Sequence, residues 1–91
     1  MSGALTNKVV MVTGGASGIG RATCLVLARE GAKLVVADTY SDQGMETVEM
    51  VRQASGEAIF SSTDVSNADQ VSAAVSAAIH TFGRLDGAFN N

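Results

Sequence analysis

Short apolar runs alternate along the chain with longer segments whose apolar side chains recur at helical spacing. The runs have apolar residues at nearly every position, which is typical of strands covered on both faces in a parallel sheet. This pattern predicts strands at Val9–Val12, Lys33–Ala37 and Ala58–Ser61, and a fourth at Leu85–Phe89. We therefore expect a sheet in the interior of the molecule.

The segments between these strands are expected to be helices. The first should span Ile19–Glu30 and the second about Asp42–Ala54, where Gly44 weakens the helix by about 1 kcal/mol. The apolar stripe of the second is thin: Met45, Val48 and Val51. The third should begin with Ser66 as its cap, and Asp69 follows three residues later. It has one continuous apolar stripe: Val71, Ala74, Val75, Ala78, Ile79 and Phe82.

This alternation of strands and helices favours an α/β fold with a doubly wound parallel sheet of the Rossmann type. With right-handed crossovers and the nucleotide-binding order, the first four strands would lie as 3-2-1-4. A crevice would then open beside the first strand. The 91 residues should form one domain at most, because a chain of this size buries only about 60–65% of its unfolded surface.

Composition narrows the functions that are open to such a domain. The net charge is −3, and the six Lys and Arg residues are scattered singly, which argues against nucleic acid or an anionic membrane as a partner. Residues 1–7 lack a basic segment followed by an apolar one, so we expect a cytoplasmic protein. No cluster of His, Cys, Asp and Glu has the spacing of metal ligands, and Cys24 is expected to be a core residue.

A glycine-rich segment directly follows the first predicted strand. Four glycines occupy seven positions, namely Gly14, Gly15, Gly18 and Gly20. A strand, a glycine turn and a helix in this order present backbone N–H groups and the positive end of a helix dipole, which together bind phosphate. A side chain at Gly14 or Gly18 would block the turn or hold the anion away from the backbone.

Asp38 ends the second predicted strand, 18 residues after Gly20. A carboxylate there can accept hydrogen bonds from ribose hydroxyls and would repel a 2′-phosphate. Ser17 and Thr39 beside it are neutral, and only Arg21 is a nearby base in the sequence. These residues predict NAD rather than NADP as the cofactor. The alternative is that Asp38 merely caps a loop.

The string Thr13–Gly20, TGGASGIG, resembles the cofactor-binding T-G-x-x-x-G-I-G motif of the short-chain dehydrogenase/reductase family. The resemblance implies that the cofactor is bound by Gly14, Ser17, Gly18, Ile19 and Gly20. It also implies that the Asp64 carboxylate accepts from the adenine amino group while the backbone of Val65 lines the ring. Asp64 could alternatively form an Asx turn before Ser66. Asn90-Asn91 looks like the opening of the family's N-N-A-G element, which would place Asn91 near the cofactor's ribose.

The same resemblance places catalysis elsewhere. The family uses a serine and a Tyr-x-x-x-Lys pair, whereas Tyr40 is followed four residues later by Gly44, so no catalytic residue is expected in this chain. Residues 1–91 would be the NAD-binding half of a longer single-domain oxidoreductase. That enzyme is expected to be a homo-oligomer and to transfer hydride between NAD(H) and an alcohol or carbonyl substrate. The alternative is a stand-alone nucleotide-binding module without chemistry.

Overall fold

Strands and helices alternate strictly in the computed structural model, which describes residues 3–91. The strands are β1 (Val9–Thr13), β2 (Lys33–Asp38), β3 (Glu57–Ser62) and β4 (Gly87–Asn90). The helices are α1 (Gly18–Arg29), α2 (Ser41–Gln53) and α3 (Ala68–Phe82). Every predicted element is present. The largest difference is in β4, which begins at Gly87 instead of Leu85.

The four strands form one parallel sheet in the order β3-β2-β1-β4, as predicted. Val12 of β1 pairs with Val36 of β2 on one side and with Phe89 of β4 on the other. The start of β4 is held to β1 by Asp86, whose Oδ2 accepts from the N–H of Val9 at 2.8 Å. The same carboxylate accepts hydrogen bonds from two nitrogens of the Arg84 guanidinium, Nε and Nη2.

The helices cover both faces of the sheet, which confirms the doubly wound arrangement. On one face Leu34 and Val36 of β2 are buried in a core cluster with residues of α1 and α2. On the other face Val35 and Ala37 of the same strand are buried with Ala74 and Ala78 of α3. Side chains alternate between the faces of a strand. The uninterrupted apolar run in β2 therefore supplies both clusters.

Helix α2 lies closer to the sheet than its sequence suggested. Its buried residues are Gly44, Thr47, Val48 and Val51. The prediction that Met45 belongs to the buried stripe is wrong, since its side chain is 48% exposed. At Gly44 a Cβ would overlap the ring of Phe60 on β3. The glycine is therefore what allows this close approach, and not only a weak point of the helix.

Two predictions for α3 are wrong in detail. The N-cap is Asn67, whose Oδ1 accepts from the N–H groups of Asp69 and Gln70 at 3.0 and 3.2 Å, while Ser66 bonds to Asp64 instead. The helix begins at Ala68, so only Asn67 is in the capping position. The stripe is also not continuous, because Ile79 is 48% exposed. Ile79 lies about 140° around the helix axis from Ala74, which places it at the edge of the buried face.

Cys24 is a buried and unreactive thiol. This side chain of α1 is fully buried in the cluster between α1, α2 and the sheet, as expected from the sequence. Burial raises the pKa of the thiol to about 12.

Among residues 3–91 no helix is long and apolar enough to cross a membrane. Nor does this part of the chain contain a group of three or more His, Cys, Asp and Glu residues that could hold a metal.

Candidate functional site

The carboxyl ends of all four strands meet at one edge of the sheet, where they border a cavity of about 270 Å³. Parallel strands place the residues that follow them at a common edge, which is where α/β folds bind ligands. The cavity is lined by Thr13, Gly14, Asp38, Thr39, Thr63, Asp64, Val65 and Asn91. It therefore unites five of the nine predicted site residues: Gly14, Asp38, Asp64, Val65 and Asn91.

The other four predicted site residues lie where the glycine turn enters α1. Ser17, Gly18 and Ile19 are exposed, and they do not line the cavity. Gly18 has a φ of +58°, and a Cβ built on it would meet nothing within 4 Å. Gly20 is buried, and a Cβ on it would overlap the carbonyl oxygen of Gly14. The two glycines thus serve different purposes: Gly18 allows the turn and leaves open space above it, whereas Gly20 allows α1 to pack on the turn.

In the part of the chain that the structure describes, the amino end of α1 has neither a side-chain cap nor an acidic residue in its first turn. Ser17 is in the capping position with an extended backbone, but its side chain forms no capping hydrogen bond, and the first turn carries no acidic residue. Helix α3, by contrast, has both the Asn67 cap and Asp69 in its first turn. Within residues 3–91, no acceptor bonds to the N–H groups of Gly18 and Ile19. These donors and the helix dipole can therefore serve an external anion.

Asn91 holds the end of β4 against the glycine turn. Its N–H donates to Thr13 Oγ1 at 3.1 Å, and that hydroxyl donates to the carbonyl of Phe89 at 3.3 Å. The side-chain amide of Asn91 donates to the carbonyl of Gly14 at 3.4 Å. Gly14 has a φ of +67°, and a Cβ there would lie 3.0 Å from Asn91 Nδ2. The positive φ favours glycine at position 14, and the Asn91 side chain leaves little room for a Cβ there.

The Asp38 carboxylate bridges the glycine turn and the loop that leads into α2. Its Oδ2 accepts from the N–H of Ala16 and its Oδ1 from the N–H of Tyr40, both at 3.1 Å. The loop-capping alternative for Asp38 is therefore realised by the bond from Tyr40. Each carboxylate oxygen still has capacity for a further hydrogen bond, because a carboxylate accepts about four in all. Asp38 can hold the turn and bind a hydroxyl group at once.

Asp64 forms the Asx turn that its sequence allowed. Its Oδ1 accepts from the N–H of Ser66 at 2.9 Å and from the Ser66 hydroxyl at 2.7 Å. The hydroxyl bond is the main reason that the pKa of this carboxyl is below its ordinary value of 3.8, and the backbone bond adds to it. Asp64 is thus an anion at neutral pH that borders the cavity. Its own N–H donates to Gln70 Oε1 at 2.7 Å, a contact that sequence reasoning did not find.

Sequence reasoning also missed Thr47, which lies in the middle of α2 and is fully buried. Its hydroxyl donates to the carbonyl of Gly15 at 2.9 Å and accepts from Arg21 Nε at 2.9 Å. The guanidinium of Arg21 also donates to the carbonyl of Gln43 at 3.0 Å. The one signal in the sequence is position: Thr47 lies four residues before Val51, which places both on the same face of α2.

The parallel sheet with its switch point beside β1, the amino end of α1 without a side-chain cap and the acidic residues at the strand ends define a nucleotide-binding α/β fold of the Rossmann type. The model of the short chain dehydrogenase family matches residues 8–91. The chain belongs to the short-chain dehydrogenase family, and the resemblance seen in Thr13–Gly20 is confirmed.

Named relatives agree with this assignment. The chain is 45% identical over 89 residues to levodione reductase from Leifsonia aquatica, covering 94% of this chain and 33% of the relative. It is 37% identical over 91 residues to cyclohexanol dehydrogenase from Acinetobacter sp. strain SE19, covering 100% of this chain and 36% of the relative. The chain therefore spans about a third of the length of these relatives.

Solved structures show the same fold. A hydroxysteroid dehydrogenase from Escherichia coli superposes with a TM-score of 0.92 at 31% identity, over 96% of this chain and 37% of that one. A short chain dehydrogenase from Mycobacterium avium gives 0.92 at 35% identity, over 98% of this chain and 34% of that one. The family and the fold imply a nicotinamide dinucleotide as the cofactor.

Proposed function

We propose that this chain is the cofactor-binding part of an NAD-dependent oxidoreductase that transfers hydride between NAD(H) and an alcohol or carbonyl substrate. The observation that carries the proposal is the contact between Asp38 Oδ2 and the N–H of Ala16. It joins a ribose-binding carboxylate to an anion-binding turn at one sheet edge. A dinucleotide presents both of the groups that these two features would bind, a pyrophosphate and an adenosine ribose.

The residues present fit such a cofactor. The pyrophosphate would be held by the backbone N–H groups of Ser17, Gly18 and Ile19, with Gly20 supporting the turn. Gly14 would shape the turn beside it, because its own N–H already donates to the carbonyl of Ala37 at 2.8 Å. The open space above Gly18 and the amino end of α1 without a side-chain cap support this assignment. When bound, the nicotinamide would supply the group that accepts or donates the hydride.

The adenosine would be held in the cavity at the strand ends. Its volume of about 270 Å³ is just below the range of about 300–1,000 Å³ that is usual for drug-sized ligands, so it suits one half of a dinucleotide. Asp38 would accept from the ribose hydroxyls and Asp64 from the adenine amino group. Val65 would line the ring with its backbone, and Asn91 would lie near the ribose through its contact with Gly14.

The choice of NAD over NADP rests on the charges around Asp38. A 2′-phosphate would meet this carboxylate, and no basic side chain lines the cavity within residues 3–91. Arg21, the nearest base in the sequence, already donates to Thr47 and Gln43 and lies 3.6 Å from Glu46. The guanidinium is therefore already engaged by α2, which supports NAD as the cofactor.

Substitution of the residues around the ribose tests the proposal. In the longest natural form of the protein, Asp38→Ser with Thr39→Arg should raise the ratio of NADP to NAD affinity at least tenfold, because it replaces repulsion by a charged partner. The ratio is the useful readout, since Asp38 also holds the turn and its loss should weaken both cofactors. Calorimetric titration with each cofactor measures it.

The control for this experiment is Asp42→Ser. Asp42 is an exposed acid four residues further on, in the first turn of α2. It should leave the NADP to NAD ratio within about twofold, because exposed charges are screened by solvent and salt. Tighter binding of NADP than of NAD by the unmodified protein would show that Asp38 has been misread.

The catalytic groups are proposed to lie outside these 91 residues, because Tyr40 lacks the lysine four positions on. The relatives named as dehydrogenases and reductases, whose chains are about three times as long, favour an enzyme over a stand-alone binding module. A homo-oligomeric and cytoplasmic full-length enzyme stays a prediction.

A further inference from the structure

We infer that Thr47 is a positioning residue for the cofactor site, and that Arg21 orients its hydroxyl. The inference rests on the proposed function, since it takes the glycine turn as the site that binds the pyrophosphate. Thr47 belongs to α2 and would touch no cofactor. It contacts the turn from the side of α2, through the peptide groups that follow Gly15 and Ala16.

The hydroxyl of Thr47 bonds outside its own helix. A buried threonine in a helix usually donates to the carbonyl four residues earlier, which here is that of Gln43 at 3.3 Å. The carbonyl oxygens of Gly15 and Ala16 in the turn are closer, at 2.9 and 3.2 Å. The hydroxyl has one hydrogen to donate, and the two turn carbonyls share it as a bifurcated hydrogen bond in which Gly15 is the closer acceptor.

Arg21 fixes the direction in which the Thr47 hydroxyl donates. Its Nε donates to Thr47 Oγ1 at 2.9 Å, and this bond turns the hydroxyl hydrogen away from the guanidinium. A second nitrogen donates to the carbonyl of Gln43, which competes for that acceptor. Arg21 is in the first turn of α1, directly after the glycine turn. The hydrogen bonds from Arg21 to Thr47 and from Thr47 to Gly15 therefore link the two ends of the segment 15–21.

The peptide group between Gly15 and Ala16 is held from both sides. A trans peptide is planar, and its carbonyl and N–H point in opposite directions. Thr47 binds the Gly15 carbonyl oxygen, and Asp38 Oδ2 binds the Ala16 N–H at 3.1 Å. Rotation of this peptide would break both bonds together. Thr47 thus stabilises the orientation that lets Asp38 contact the turn.

The next peptide group carries the effect to the anion site. The Ala16 carbonyl lies 3.2 Å from the Thr47 hydroxyl, so this side of the peptide faces α2. The Ser17 N–H belongs to the same planar group and points away from α2. Ser17 is the exposed capping residue of α1, beside the donors that would receive the pyrophosphate. Thr47 thereby presets two features of the site, the Asp38 contact and the Ser17 donor.

Two substitutions at position 47 isolate the hydroxyl. Thr47→Val keeps the shape and removes the hydroxyl, whereas Thr47→Ser keeps the hydroxyl and removes a methyl group. In the longest natural form of the protein, Thr47→Val should weaken NADH binding about tenfold or more, measured by fluorescence titration, because a buried carbonyl loses its donor. Thr47→Ser should bind NADH within about threefold of the unmodified protein.

A matched control and a ligand-free readout separate positioning from general damage. Among residues 3–91, the Thr23 hydroxyl bonds only within its own helix, to the Ile19 carbonyl at 2.8 Å, so Thr23→Val should change NADH affinity less than about twofold. Amide exchange without cofactor should speed up at Ala16 in Thr47→Val, and not at core amides such as Val35. A general loss of stability would instead raise exchange at both.

Arg21→Lys keeps the inference testable if Thr47→Val fails to fold. It retains the positive charge near the proposed pyrophosphate site but loses the Nε donor, and position 21 is partly exposed. We expect several-fold weaker NADH binding and faster exchange at Ala16. The combination with Thr47→Val should weaken binding by less than the product of the two single effects, since both act through one link.

The possible outcomes distinguish this inference from the proposed function. Undiminished NADH affinity and unchanged Ala16 exchange in a folded Thr47→Val, or in Arg21→Lys if only that variant folds, would overturn the positioning role. Failure of the unmodified protein to bind NADH would overturn the proposed function. The amide exchange of the ligand-free variants would then still show whether Thr47 fixes the turn.

Discussion

Adding one methyl group should cost much more stability at Gly20 than at Gly18, although the two glycines are only two residues apart. Gly18→Ala has space on all sides, and its cost is the left-handed backbone, about 1–2 kcal/mol. In Gly20→Ala the new Cβ would overlap the carbonyl oxygen of Gly14 and lie 2.6 Å from its carbon and 3.0 Å from the Cα of Gly15. Backbone atoms cannot swing aside as a side chain can. We therefore expect Gly20→Ala to cost about 3 kcal/mol or more.

Urea unfolding of the longest natural form of the protein measures this difference. At a slope of about 1–3 kcal/mol per molar urea, a loss of 3 kcal/mol lowers the midpoint by about 1–3 M in Gly20→Ala, and Gly18→Ala should lose less. Gly87→Ala is the control, because its Cβ would meet nothing within 4 Å. Its midpoint should stay within about 0.5 M of the unmodified protein.

Cofactor binding should be lost when the space above Gly18 is filled by a larger side chain. Gly18→Val should abolish NAD binding, measured by calorimetry, while the circular dichroism of the fold is kept, because its side chain fills the space proposed for the pyrophosphate. A Gly20→Ala protein as stable as Gly87→Ala would refute the packing argument. Undiminished NAD affinity in Gly18→Val would refute the assignment of the anion site.

Two further predictions concern titratable groups away from the site. The pKa of Asp86 lies below its ordinary value of 3.8, mainly because of the hydrogen bonds from Arg84 and next because of the bond from the Val9 N–H. The ionised Asp86 therefore stabilises the fold above pH 3.8, and this stabilisation is lost as the pH falls through the lower pKa of the folded state. Asp86→Asn should therefore have a lower urea midpoint than the unmodified protein at pH 7, and its midpoint should depend less on pH below 3.8. If the midpoints of the two proteins changed in parallel from pH 7 to pH 2, this prediction would be contradicted. The buried thiol of Cys24, with a pKa of about 12, should react with Ellman's reagent at pH 8 only as fast as the protein unfolds, and rapid labelling without urea would show that it is accessible.

The layout of the fold follows from patterns that are local in sequence. The run Leu34–Ala37 has no polar interruption because its side chains alternate between two buried clusters, and such a run predicts a strand covered on both faces. Parallel strands also share one carboxyl edge. Asp38, Asp64 and Asn91 each follow or end a strand, so their meeting at one cavity could be predicted from their positions alone.

The parts that could not be predicted depend on contacts between residues distant in the chain or on small shifts of a helix boundary. Ser66 and Asn67 are both good capping residues, and the hydroxyl of Ser66 is bound by Asp64 instead. Threonine is a polar residue that is usually found on the surface of a helix. The partner of Thr47, Gly15, is 32 residues earlier in the chain. No local pattern indicates such a bond, because it exists only once α2 packs beside the turn.

The contact of Gly44 with the Phe60 ring constrains how this sequence can evolve. Alanine at 44 would gain about 1 kcal/mol of helix propensity, yet its methyl group would collide with the ring. A smaller residue at 60 alone would leave a void, which is also destabilising. Each change is thus harmful singly and tolerable together, which is sign epistasis between two positions 16 apart. Descendants of this chain should exchange Gly and Phe here as a pair, through a less stable intermediate or not at all.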